Sequence, residues 1–421
     1  MDVSVIGSGY VGMVTGMGLC DLGFNVVFVD VDQGKIETIN SGKPPIYEEG
    51  LEDMMDRNRG RYRATDDYAD AIGNSKLTLI CVGTPSRDDG SMDLSFIESS
   101  SRSIGAELSR KNEYHTVVVK STVLPGTTEN VVASLIEEKS GKKRGEDFGL
   151  AMNPEFLREG VAIRDFFEGD RIVIGSEDEG SSDAVGSLYE ELDIPIYNCG
   201  IKVAEMIKYT SNSFLAMKIS FANEIGNYCK ELGMDSRKVF KGVGMDSRIS
   251  PKFFGAGIGF GGSCFPKDVN ALLFDFGRRR MENSLLSGTM EVNERQPLRL
   301  VEMAEEYFGD LSGRTIGILG LAFKPDTDDI RYTRALPIIK ELLRKGAKVK
   351  AYDPMAQDNF SELVKEVDYM GSGEEVLDSD AVLIVTEWDQ FRDLDYTGKV
   401  VFDGRRIKEA EDAKHYEGIC W

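Results

Sequence analysis

The chain has 421 residues, too many for one ordinary hydrophobic core, so two or three domains are expected. Its 50 basic and 72 acidic residues leave a net charge of −22, which argues against nucleic acid or an anionic membrane as partner. Any polyphosphate ligand must therefore be held by local cations and backbone amides; the acidity itself fits either a solubility surface or a salt-rich source.

The opening "MDVSVIGSGYVG" enters a strand at once and leaves no room for a signal peptide. No apolar run approaches the ~18 residues of a membrane span. Cys20, Cys81, Cys199, Cys229, Cys264 and Cys420 form no CxxC pair and no zinc-like spacing with His115 or His415, so no metal is expected. A cytoplasmic protein with reduced thiols fits these features. With two histidines only, acid–base chemistry falls to carboxylates, lysine, water or a thiol.

Val3 to Ile6 read as a strand, "GSGYVG" as a turn, "MVTGMGLCDLG" as a helix and "NVVFVD" as the next strand. Gly7, Gly9 and Gly12 make GxGxxG directly after a strand, the arrangement that seats a pyrophosphate on a helix N-terminus. Asp30 closes the second strand 18 residues after Gly12, close to the ~20 expected of an acid that binds adenosine ribose hydroxyls. Such a carboxylate repels a 2′-phosphate, so NAD is expected over NADP. Further strand-like runs are "LTLICVG" (77–83), "TVVVKST" (116–122), "GLAMN" (149–153) and "RIVIG" (171–175). Alternation of this kind predicts a parallel, doubly wound sheet. Thr84 and Thr122 follow two of these strands, where a cofactor or substrate is met, although a turn role suits either equally well.

"NPEFLREG" (153–160) supplies Glu155 and Glu159. They could be simple partners of a helix N-terminus, but in a histidine-poor chain Glu155 is the best available general base. Residues 202–232 read as one long helix without proline, a connector and possible dimer surface. On it Lys208 and Asn212 lie at i and i+4, a pair able to donate to an oxyanion, or else a solvated face. The loop "GFGGSCFPKD" (259–268) then places Cys264 behind three glycines, expected to clear space for substrate. Lys267 would favour the thiolate, and Asp268 would orient water or balance the lysine. A thiolate beside NAD points to aldehyde-level chemistry: attack on an aldehyde, hydride loss to a thioester, hydrolysis. A second α/β region starts at "GRTIGILGLAF" (313–323) and runs through 347–354, 381–389 and 399–406. It offers an incomplete nucleotide turn with Lys324 and Arg331 nearby, suited to a second nucleotide or simply a solvated loop. No YxxxK pair occurs, which disfavours a short-chain epimerase.

"VIGSGYVGMVTG", "VDVDQGKIETINSGKPPIYEEGLE", "VGTP", "KSTVLPGTT", "NPEFLREG", "FGGSCFPKD" and "GLAFKPDTDDIR", in this order, resemble the UDP-glucose 6-dehydrogenase family. The resemblance implies an α/β chain of two Rossmann-like doubly wound domains joined by a central helical region with a long connecting helix. Their expected ranges are 1–196 for NAD, 197–296 for the central, dimer-forming part with the cysteine loop, and 297–421 for the UDP-sugar. It implies an NAD-dependent homodimeric enzyme oxidising UDP-glucose twice, with GDP-mannose as the alternative substrate and a non-catalytic sensor as a rival of another class. Relatives acting on N-acetylmannosamine nucleotides carry histidine where Ser263 stands.

By the same resemblance Cys264 is the nucleophile, Glu155 the hydrolytic base, and Lys208 and Asn212 the oxyanion donors. Asp268 and Thr122 position water. Gly7, Gly9, Val11, Gly12, Asp30, Lys35, Thr84, Thr122, Glu159, Lys267 and Arg331 fall where the family binds NAD. Glu155, Phe156, Leu157, Arg158, Glu159, Lys208, Asn212, Phe253, Phe254, Gly255, Ala256, Gly257, Gly261 and Lys324 fall where it holds the nucleotide sugar, and Arg248 where it reaches the neighbouring subunit's substrate. Two departures stand out: Gly255 replaces a common asparagine, and Arg406 ends "DGRR" where "DGRN" is usual, at the uracil or phosphate end.

Overall fold

Described from residue 2 to 421, the chain forms, in a computed structural model, two α/β units that divide between Ser211 and Asn212. The first carries β1 (Asp2–Ile6), β2 (Asn25–Val29), β3 (Tyr62–Thr65), β4 (Leu77–Ile80), β5 (His115–Val119), β6 (Phe148–Met152), β7 (Ile172–Ser176) and β8 (Ile196–Cys199). Their order across the sheet is β3-β2-β1-β4-β5-β6-β7-β8. β4, β5 and β6 are buried along their whole length, as strands covered by helices on both faces must be.

One pairing departs from the parallel expectation. β7 runs antiparallel to β6, with Met152 opposite Gly175. The loop after β6 is tethered to the end of the sheet where the chain leaves β1: Glu48 and Tyr10 hold the Gly160 amide, and Glu48 the Ala162 amide. The following strand therefore enters from that end and runs back.

The second unit carries β9 (Thr315–Leu319), β10 (Lys348–Tyr352), β11 (Asp368–Tyr369), β12 (Ala381–Ile384), β13 (Val400–Asp403) and β14 (His415–Gly418), in the order β11-β10-β9-β12-β13-β14 and wholly parallel. In each sheet the strand order reverses direction beside the first strand, between β1 and β4 and between β9 and β12. Ligands of such sheets bind in the crevice at that switch point.

β3, β8, β11 and β14 went unforeseen, and all four are sheet edges. An edge strand is buried on fewer sides, so it needs no apolar run to announce it. The long helix is found at Ile201–Glu231, 31 residues. A Cβ at its interior Gly226 would lie 2.9 Å from Cys420 and Ala256, so the glycine admits close packing. Among the described residues no helix is long and apolar enough to cross a membrane.

Candidate active site

β1 hands the chain to Gly7, which has φ +96° and whose added Cβ would lie 3.0 Å from the Cys81 carbonyl oxygen. A Cβ on Gly12 would lie 1.9 Å from the Gly7 oxygen, whereas one on Gly9 would meet nothing within 4 Å. Packing thus demands the first and third glycines, and the second faces open space. That space adjoins the first turn of the helix Tyr10–Asp21, whose N-cap Gly9 offers no side-chain acceptor to the amides. A pyrophosphate fits both facts.

Asp30 sits beside this turn. Its Oδ2 accepts the Ser8 amide at 2.8 Å and the Ser8 hydroxyl at 2.5 Å, and its Oδ1 the Asp32 amide at 3.1 Å. Burial opposes its charge, but these donors and Lys35 hold the carboxyl below its usual range. The group is a fixed, half-buried carboxylate, suited to ribose hydroxyls. Val11, in the first helical turn, is likewise half-buried. Asp30→Ala is expected to lower the ratio of kcat/KM with NAD to that with NADP by about 100-fold, two decades at ~1.4 kcal/mol each. Steady-state assays with both cofactors read this directly; an unchanged ratio contradicts it. Thr84 donates to the Thr122 carbonyl at 3.0 Å and so ties the end of β4 to that of β5.

The loop after β6 is anchored at both ends. At its start Asn153 accepts from Tyr189 at 2.6 Å and from the buried Lys120 ammonium at 2.9 Å, and donates to the Val173 carbonyl at 2.8 Å. At its far end Tyr10 donates to Glu48, whose carboxylate accepts the Gly160 amide at 2.7 Å and the Ala162 amide at 2.6 Å. Between them Glu155 is buried, its Oε1 2.9 Å from the Lys208 ammonium and its Oε2 accepting the Leu157 amide at 2.6 Å. Burial alone would raise the Glu155 pKa; Lys208 foremost, then the Leu157 amide and Lys120, bring it below the usual carboxylate range. Phe156 lies between cations, 4.1 Å from the Arg171 guanidinium and 5.4 Å from the Lys208 ammonium. Arg158 clasps Asp165 bidentately, at 2.9 and 2.6 Å, and Glu159 is half-buried. Buried Glu205, on the same helix as Lys208, accepts the Gly126 and Thr128 amides at 2.5 and 2.8 Å and so holds the loop that carries Thr122.

In the second unit Cys264 is exposed at the N-cap of the helix Phe265–Arg278, with Pro266 in its first turn. Its sulfur lies 3.6 Å from the Ser263 hydroxyl. Behind it Asp268 is buried, accepting from Asn212 at 2.6 Å and from Lys267 at 2.5 Å. Asp268 thus joins the Lys267 ammonium to the Asn212 amide. The glycines do not clear space as expected. Added Cβ atoms on Gly259, Gly261 and Gly262 would lie 2.5 Å from Asn293, 2.4 Å from the Tyr332 carbonyl and 2.7 Å from the Phe323 ring. The loop is instead packed close and clamped by amides missed in the sequence: Asn293 on Phe260, Asn223 and Gln296 on Gly257.

Upstream of the cysteine loop, Phe254 stacks on Phe240 at 5.0 Å, Phe253 has φ +66°, and Ala256 is half-buried. A Cβ on Gly255 would meet nothing within 4 Å, so the asparagine common there has room. Arg248 extends into solvent, its side chain 86% exposed and paired with Asp246. The nucleotide turn after β9 differs from that after β1. Asp353, the counterpart of Asp30, is saturated by the Leu321, Ala322, Met355 and Ala356 amides and the Trp388 indole, at 2.7–3.0 Å. No acceptor is left for a ribose as at Asp30, which agrees with a different nucleotide there. Lys324 lies 5.7 Å from the Phe323 ring, and Arg331 pairs with Asp329. Arg406, at φ +66°, grips Asp235 bidentately at 2.8 and 2.7 Å, and its guanidinium lies 5.2 Å from the Trp421 ring.

His115 is sealed in β5 against Thr78 and the Ser75 carbonyl, and burial pushes its pKa down to about 3. It stays neutral and takes no part in acid–base work near pH 7.

Three family models match in sequence: the UDP-glucose/GDP-mannose dehydrogenase NAD-binding domain over 1–193, the central domain over 202–295 and the UDP-binding domain over 317–410. The UDP-glucose 6-dehydrogenase AglM of Haloferax volcanii is 44% identical over the full length of both chains. A GDP-mannose 6-dehydrogenase of Pseudomonas syringae is 41% identical, again over both full lengths. The solved structure of a UDP-glucose dehydrogenase from the hyperthermophilic archaeon Pyrobaculum islandicum superposes with a TM-score of 0.96 at 45% identity, covering 100% of this chain and 98% of that one. Matched by these three models along nearly its whole length, the chain belongs to the UDP-glucose/GDP-mannose dehydrogenase family of NAD-dependent enzymes.

Proposed function

We propose that the chain oxidises UDP-glucose twice at one carbon, consuming two NAD⁺ and one water and giving UDP-glucuronate, two NADH and three protons. Bound NAD accepts the hydride in each oxidation. The observation that carries the covalent reading is the setting of Cys264. Among the described residues it is the one exposed cysteine, and it stands at the N-cap position of a helix, where the positive end of the helix dipole favours a thiolate. Cys20, Cys81 and Cys420, by contrast, are buried thiols with pKa values pushed up to about 12.

The Cys264 sulfur attacks the aldehyde left by the first oxidation, forming a C–S bond and an oxyanion. Loss of hydride from that carbon gives a thioester. Water then adds, the C–S bond breaks, and the thiolate leaves. Lys208 and Asn212 are the donors for the oxyanions. Glu155 takes the proton of the attacking water, with Asp268 and Thr122 positioning it. The Lys208 ammonium has three N–H donors, so it can serve an oxyanion while still holding Glu155. The negative charge of the oxyanion offsets that of the ammonium, which raises the Glu155 pKa and makes the carboxylate a stronger base.

For substrate, 44% and 45% identity to UDP-glucose enzymes and Ser263 in the histidine's place support UDP-glucose. Measuring NADH release from UDP-glucose, GDP-mannose and UDP-N-acetylmannosamine tests the assignment. UDP-glucose should lead by about 100-fold or more in kcat/KM; an equal or better rate on GDP-mannose overturns it. The thiols, none in a disulfide, suit a cytoplasmic setting. The three family segments are assigned in turn to NAD, to assembly and the cysteine loop, and to the nucleotide sugar.

The long helix also supports a homodimer. Phe214, Phe221 and Tyr228 recur every seven residues, each more than half exposed, and so form one apolar stripe. Light scattering should give twice the 46.6 kDa chain mass, and Phe221→Glu should shift it towards monomer. A fully active wild-type monomer at assay concentration contradicts this.

A further inference from the structure

Lys218 is buried on the long helix, and neither the cofactor site nor the covalent chemistry uses it. Its ammonium donates to the Ile249 carbonyl at 3.2 Å and the Ser250 carbonyl at 3.3 Å, and lies 4.2 Å from the centroid of the Phe254 ring. Among the described residues no carboxylate is within ion-pair distance. Held by carbonyls and a ring face, the part-buried ammonium gives up hydration without an opposite charge in return.

The turn it grips is strained. Ser250 has φ +67° and Phe253 φ +66°, a region that non-glycine side chains rarely adopt. The strain leads toward the nucleophile. The Phe253 ring lies 6.3 Å from that of Phe265, the residue after Cys264, and Phe265 meets Phe260 edge-on at 5.8 Å. Phe254, under the ammonium, is held on its other side by Phe240.

We propose that Lys218 is a positioning residue for nucleotide-sugar binding: its two carbonyl contacts hold the 249–254 turn in its strained form. The turn in turn sets residues 253–257 and braces the cysteine loop through Phe253 and Phe265. The inference rests on the assignment of 253–257 to the substrate and goes beyond it by naming what fixes their shape.

The test uses the full-length enzyme with Lys218→Met, Lys218→Arg and the double variant Lys218→Met/Ser250→Gly. Lys218→Met should raise KM for the preferred nucleotide sugar at least about tenfold and leave KM for NAD within about twofold. Lys218→Arg, which keeps the charge and donors, should stay near wild type. Adding Ser250→Gly should recover part of the lost affinity, because glycine adopts φ near +67° without steric cost. Hydrogen exchange on the free proteins gives a second reading that needs no substrate: the 249–257 amides should exchange faster in Lys218→Met alone.

An unchanged sugar KM with unchanged exchange overturns the proposal. So does a parallel rise in both KM values with a lowered Tm and no recovery on adding Ser250→Gly, which marks general destabilisation. Should Lys218→Met not fold, Lys218→Gln and wild-type-background Ser250→Gly are compared by exchange, and equal protection of 249–257 in all three proteins overturns it too. Failure of the substrate assignment shows separately, as wild type preferring another sugar. Faster exchange with no change in sugar KM shows instead that 253–257 do not bind the sugar.

Discussion

Cys264→Ser is expected to cut NADH production by at least about 1000-fold while NAD and nucleotide-sugar affinities stay close to wild type. The side chain is exposed at a helix start, and serine caps helices well, so the loop should fold unchanged. What is lost is chemical. A hydroxyl is a far weaker nucleophile than a thiolate near neutral pH, and an ester is a poorer acyl donor to water than a thioester. Binding measured by calorimetry alongside turnover separates this from misfolding. Near-normal turnover in the variant removes the thiol from the mechanism.

Lys208→Met carries the largest expected effect on stability. Lys208 and Glu155 are both buried and lie 2.9 Å apart, so removing the lysine leaves a buried carboxylate without its main partner. Breaking such a pair costs about 3–5 kcal/mol. Lys208→Met/Glu155→Gln should recover most of that loss, since the orphaned charge is gone, yet remain inactive. The pH dependence has a definite sign. In wild type the Glu155 pKa is lowered on folding, so its contribution is present above the unfolded value near 4.5 and is lost as pH falls through the folded value. Without Lys208 only the Leu157 amide and Lys120 remain against the desolvation that raises the pKa, so the carboxylate loses its main source of stabilisation and its charge costs the fold more as pH rises. The stability gap between wild type and Lys208→Met should therefore be wide at pH 7 and narrow towards pH 4. Urea unfolding at both values checks this; a gap independent of pH contradicts it.

What could be read from the sequence were features whose cause is local. Gly7, Gly9, Gly12 and Asp30 announce a nucleotide turn because strand, glycine spacing and acid lie within one short stretch. The helix Ile201–Glu231 shows in its uninterrupted pattern. Contacts between distant segments could not be read. Tyr10, Glu48 and Gly160 meet across 150 residues, and nothing near "YEEG" signals that its first glutamate clamps another loop. Nothing in "AKVKAYDP" signals that Asp353 is taken up by five donors, and the loop glycines looked like cleared space until Asn293, Tyr332 and Phe323 were found filling it. Nothing in the sequence sets Lys218 apart from the other lysines of its helix; its burial and its hold on a turn about thirty residues away follow from packing alone.

The central claim is a thioester on Cys264 that Glu155 helps to hydrolyse. Glu155→Gln removes the base and leaves the nucleophile, so the acyl-enzyme should form and persist. Intact-protein mass spectrometry of Glu155→Gln mixed with UDP-glucose and NAD should show one added UDP-glucuronyl group per chain, absent in Glu155→Gln/Cys264→Ser and released by hydroxylamine. An unmodified mass while NADH is being formed, or an adduct that survives loss of the thiol, contradicts the account.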